Sequence, residues 1–214
     1  MTAGSFEAAL PATRVKYDCR KKGRFWRSFF IYKGLTHYNM KWTYYWLKED
    51  YFSKNNSFDE MLDPGNLSKQ GKRPYFYLKV AYRGNHFVIP FRSHVNHSWG
   101  YHFDQTNKKG AGLDYTKSLI VNDSSYLGKT PIIPKHQHKI IKNNINIIER
   151  QFKKYVDGYI RVAIQEKESS VQQFKNSTLQ NFHNELGITA AIEKKAELKK
   201  RKELQRRRHN EINR

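Results

Sequence analysis

A chain of 214 residues with 38% hydrophobic and 14% aromatic side chains has material for one packed domain and a tail, and is too apolar to be wholly disordered. Its formal net charge of +21 far exceeds what solubility needs, so polyanions are the expected partners, nucleic acid first, with interleaved aromatic and His rings to stack unpaired bases. Cys19 is the only cysteine and no apolar run approaches the ~20 residues of a membrane span, which excludes an intrachain disulfide, a multi-cysteine zinc site and a spanning helix, so a cytoplasmic protein without a membrane partner is expected.

Residues 1–39 are basic and aromatic with no sustained period of 2 or 3.6, and read as a basic arm or an upstream extension that closes at Met40. Trp42 to Phe52 reads as a short amphipathic helix, the stretch Phe58 to Leu62 as a second small element, and Asp63-Pro64-Gly65-Asn66 as a turn. RPYFYLKVAY from Arg73 and HFVIPFRSHV from His86 flank Arg83-Gly84-Asn85, which predicts a β-hairpin. A glycine-rich loop at Gly110 to Gly112 precedes a third strand, Lys117 to Val121, and Lys129 to Pro134 is a candidate edge strand. Ile141, Ile145, Ile148, Phe152, Tyr155 and Tyr159 recur at spacings of 4, 3, 4, 3 and 4, which predicts a long helix with one apolar stripe. A further helix is expected over Val171 to Phe182 with a break near Gly187, and residues 188–214 form a charged helix or solvated tail.

Two clusters carry chemistry. Arg92, Ser93, His94 and His97 lie together after the second hairpin strand, and Asp114, Tyr115 and Lys117 precede the third. Both clusters hold residue types that move protons or bind phosphate. His94 and His97 suit proton transfer, Arg92 and Lys117 suit phosphate, and Ser93 suits a hydrogen bond to it. Asp114 can orient a His, and Tyr115 can stack on a base. The structural alternative gives Asp114 to an Asx-turn, Tyr115 to the core and Lys117 to solvent. Asp114, Tyr115, Lys79 and Arg73 are the expected RNA contacts. His94, His97, His102 and Asp104 have the residue types of a zinc site but not the spacing, so neither metal nor cofactor is expected.

HFVIPFRSHVNH (His86 to His97) followed by GLDYTKSLIV (Gly112 to Val121) resembles the ToxN/AbiQ superfamily of type III toxins, and its TenpN-like branch most closely. The similarity extends over roughly Trp42 to Ile160. It implies an α+β fold in which residues 40–187 form a compact, strongly bent antiparallel sheet or barrel of the MazF/ToxN kind, with helices packed around it. It also implies an endoribonuclease leaving 2',3'-cyclic phosphate and 5'-hydroxyl ends on cellular or phage RNA, inhibited by a repeated RNA antitoxin with which it forms an RNA–protein assembly. The alternative is a basic RNA-binding protein that does not cut. One departure stands out. The ToxN pattern Pro-Leu-Thr-Ser-Pro-Lys has its lysine where this chain has Val95, so the phosphate cation must come from elsewhere, most simply Arg92 or Lys117.

Overall fold

The computed structural model describes residues 42–79, 81–106 and 110–212. The arm at residues 1–39 lies outside them.

The described residues form an α+β structure around a six-stranded antiparallel sheet. Strand β1 (Trp42–Trp46) pairs with β2 (Pro74–Leu78), and β2 with β3 (Phe87–Arg92), in a register that sets Tyr44, Phe76 and Ile89 side by side. Along its other side β3 meets two partners in turn. Phe87 and Val88 pair with β6 (Leu119–Ile120), and Phe91 and Arg92 pair with β5 (Gly112–Asp114), which in turn pairs with β4 (Gly100–His102). Pro90, which has no N–H to donate, falls in the gap between those two ladders, where a proline is tolerated inside a sheet. The sheet is open, with β1 and β4 at its edges, so of the expected sheet or barrel it is the sheet that forms.

The hairpin and the long helix are where the sequence placed them. Helix α3 (Lys135–Ala163) buries Ile141, Ile148, Phe152, Tyr155 and Tyr159, with Ile145 half-buried, as a stripe of that spacing must. Phe152 meets Phe87 of β3 edge-on at 5.2 Å, and His138 lies against Trp42 and Tyr44 of β1. Gly158 leaves room for Phe174, whose ring would stand 3.1 Å from an added Cβ.

Four other expectations are corrected. Trp42 to Phe52 is not one helix: WTYYW is strand β1, and α1 (Glu49–Lys54) begins after it. The short element before β2 is α2 (Leu67–Gly71) rather than Phe58 to Leu62. Residues 129–134 form no strand, although Lys129 accepts a backbone hydrogen bond from Trp46. Val171 to Phe182 is a run of turns ending in a 3-10 helix at Thr178–Phe182, because Ser177 caps Leu179 N–H and Thr178 Oγ1 donates inward to Ser118 O. After Gly187, whose φ of +69° suits glycine, α4 (Ile188–Ile212) runs out from the body with Glu193 to Glu211 exposed.

Candidate functional site

The site begins with one carboxylate. Asp114 ends β5 fully buried, and its Oδ1 accepts from Thr116 N–H at 2.9 Å and from Thr116 Oγ1 at 2.6 Å, the Asx-turn that starts the 3-10 helix Tyr115–Lys117. The same side chain also meets two residues of the other cluster. Its Oδ2 accepts from Arg92 Nη1 at 2.7 Å, and His97 Nε2 stands 3.4 Å from Oδ1. Burial pushes the Asp114 pKa up, but hydrogen bonds from His97, Thr116 and Arg92 outweigh it and hold it down at about 2. It is therefore an anion at neutral pH, and a negative charge in the core fixes a guanidinium and an imidazole.

The loop bearing His97 is pinned at both ends. Val95, fully buried where the toxin pattern has its lysine, donates its N–H to Gly110 O, and His102 Nε2 donates to the His97 carbonyl at 2.8 Å. The His97 ring stacks on Trp99 with centroids 5.4 Å apart and planes 24° apart. With Nε2 turned to Asp114, Nδ1 is left buried and without a partner. Arg92, His97, Trp99 and Lys117 line one cleft of about 480 Å³, together with Asn96 and with Gln172, Gln173 and Asn176 from the turns after α3.

Several expected roles change. Lys117 lines the cleft, but its Nζ donates to Glu60 O, Glu60 Oε2 and Asn176 O at 2.9, 2.7 and 2.9 Å, so all three ammonium donors are already engaged. Arg92 is the other permanent cation lining the cleft, with one guanidinium nitrogen given to Asp114. Tyr115 is a core residue, 3% exposed, whose ring meets Phe152 and whose hydroxyl lies 3.4 Å from Ile148 O. Asp114 is fully buried and contacts Arg92 and His97 rather than the cleft. Arg73 is tied to Asp63 and to Phe91 O, which brackets the 59–66 loop against β3. Lys79 is exposed at the end of β2, outside the cleft. Ser93 and His94 are exposed, 3.2 Å from each other, and do not line the cleft either.

No family model, curated protein or solved structure matches this chain. Among the described residues no group of three or more His, Cys, Asp and Glu is placed to hold a metal ion: His102 is bonded to backbone, and Asp104 caps Thr106. No helix of the described residues is long and apolar enough to cross a membrane.

Trp99, Asn96 and the glutamines at 172 and 173 were not singled out in the sequence. Trp99 lies two residues beyond His97 in HVNHSWG, so an aromatic beside a candidate proton carrier was the available signal. The glutamines gave none, since only the packing of the 164–182 turns brings them to the cleft.

Proposed function

We propose that the protein is the toxin of a type III toxin–antitoxin pair, an endoribonuclease that cuts RNA without a metal and is held inactive by a repeated RNA antitoxin. The observation that carries this reading is the arrangement of Arg92 and His97 on one buried carboxylate at the wall of one cleft. Asp114 fixes the plane of the Arg92 guanidinium, so the donors not given to Asp114 form a preoriented partner for the phosphate and the charge that develops on it. A neutral His97 that donates Nε2–H to Asp114 keeps its lone pair on Nδ1, the nitrogen able to take the proton of the 2'-hydroxyl. Nδ1 is covered in the resting form, so its cover must open as RNA enters the cleft, before transfer occurs. Leaving-group protonation then falls to the imidazolium or to water.

A second reading, RNA binding without cleavage, is favoured by that covered Nδ1 and by the fully engaged Lys117. The test is to incubate the purified protein with total RNA and probe the ends: fragments ending in 2',3'-cyclic phosphate support the toxin, and intact RNA at saturating binding supports the alternative. His97→Ala should slow cleavage ~100- to 10,000-fold with little change in affinity. Arg92→Ala should slow cleavage, weaken RNA binding and flatten its salt dependence, since the guanidinium meets phosphate in ground and transition states alike. Expression without the repeat RNA should arrest bacterial growth, and normal growth at confirmed expression would count against the toxin.

A further inference from the structure

We propose that the cleft continues into a track for single-stranded RNA that passes over Trp99 and runs along Lys154, Arg161 and Arg150 on the outer side of α3. The track rests on the reading that the cleft receives RNA.

Three cavities adjoin in a row. The Arg92–His97 cleft of about 480 Å³ shares Trp99 and Gln173 with a neighbour of about 430 Å³, and that neighbour shares Lys154 and Arg161 with a third of about 510 Å³ that reaches Arg150 and Tyr82. Trp99 thus stands at the first junction, half-buried, braced by its stack on His97, and open to a cavity on either side. A rigid indole wedged between two openings is a platform for an unpaired base, since every base has a π-face and needs no particular sequence to stack.

The second junction carries charge. Arg150, Lys154 and Arg161 are exposed, and Arg150 and Lys154 have no ion-pair partner among the described residues. At 1.5 Å per residue the three lie about 6 and about 10 Å apart along the helix axis, a file of cations rather than a point. The acids in this stretch are already matched: Glu149 pairs with Lys153 at 2.5 Å, and Asp157 takes Arg83 at 2.7 Å and the Tyr82 hydroxyl at 2.7 Å, with Arg161 also close enough to lower its pKa. The net potential along the groove is positive, which suits a phosphate backbone. A duplex would hold its bases stacked on one another and could use the file but not the indole. The pairing of platform and file therefore selects a single strand.

The test uses the full chain and a fluorescent single strand of about 12 nucleotides with every ribose 2'-O-methylated, so that attack by the 2'-oxygen is impossible, beside a duplex of the same sequence. Trp99→Ala should weaken single-strand binding roughly 5- to 150-fold and leave its salt dependence unchanged, with Trp99→Phe recovering most of the loss. The double variant Lys154→Ala/Arg161→Ala, on exposed positions, should lower the slope of log affinity against log salt by about 1.4. Duplex binding should respond to the double variant but not to Trp99→Ala. Wild-type single-strand affinity in the double variant, or equal losses for duplex and single strand on Trp99→Ala, would overturn the track. Because the probe cannot be cut, a track that binds as expected while natural RNA stays intact would overturn the nuclease and leave the track standing.

Discussion

Asp114 shows how one residue can be structural and functional at once. Its two oxygens divide the work: Oδ1 closes the turn through Thr116 and meets His97, while Oδ2 holds Arg92. A carboxylate in the core is tolerated only when several donors replace its lost water, and here they do. The pKa of about 2 in the folded protein lies below the ordinary value of ~3.9 that the unfolded chain restores, so the carboxylate contributes stability that is fully present above about pH 4 and is lost as pH falls through about 2. Asp114→Asn should therefore destabilise the protein by ~2–4 kcal/mol at pH 7, and the gap to wild type should narrow below about pH 4 and close only near pH 2. Urea titrations across this pH range check this, and a variant as stable as wild type at pH 7 would mean that the anion does not hold the site together. Arg92→Ala removes one of the same partners, so it should lower stability as well.

At the scale of elements, β4 and β5 position that carboxylate, and they are the strands least visible in the sequence. Each has three residues and a glycine, too little for a period to register. The glycines are required by close approach: a Cβ on Gly100 would stand 2.5 Å from Leu113 O, and one on Gly112 would strike Tyr101 O. Gly112→Ala should therefore force the two strands apart and cost ~1–3 kcal/mol, seen as a fall of roughly 3–10 °C in the thermal midpoint together with reduced cleavage. An unchanged midpoint would show that the pair of strands yields easily.

The contrast with legible elements is physical. The β2–β3 hairpin and α3 carry their burial pattern within one run of chain, so composition and period reveal them. WTYYW does not, because β1 is a strand only by virtue of its pairing with β2. The site divides in the same way. Arg92, His97 and Asp114 stood out by residue type alone, and the structure brings the three together. The engagement of Lys117 by Glu60 and the burial of Tyr115 against Ile148 depend on partners far away in the chain.

Over the whole molecule the charge is uneven, and α4 concentrates it. Glu193 to Arg214 carries ten Lys and Arg against four Glu. Lys195, Lys199, Lys202 and Arg206 follow spacings of 4, 3 and 4 and share one face, while exposed Leu198 and Leu204 fall on different faces. With no apolar stripe to bury, this helix contributes little to the core. Its first two turns hold it to the body through buried Ile188, half-buried Ile192 and hydrogen bonds from Thr189 Oγ1 to Asn184 Oδ1 at 2.8 Å and from Lys195 Nζ to Ile164 O at 3.4 Å. Such a surface acts through its field, by drawing in a polyanion and releasing counterions from it. Removing Glu193 to Arg214 should therefore shift the thermal midpoint by no more than about 2 °C, the effect of losing exposed side chains. The same deletion should flatten the salt dependence of RNA binding by more than any single substitution in the cleft, because several phosphate contacts leave together. Thermal melts and binding isotherms across a range of salt concentrations decide it. A midpoint lowered by more than about 5 °C would make α4 part of the folding unit, and an unchanged salt slope would mean that its cations face no nucleic acid.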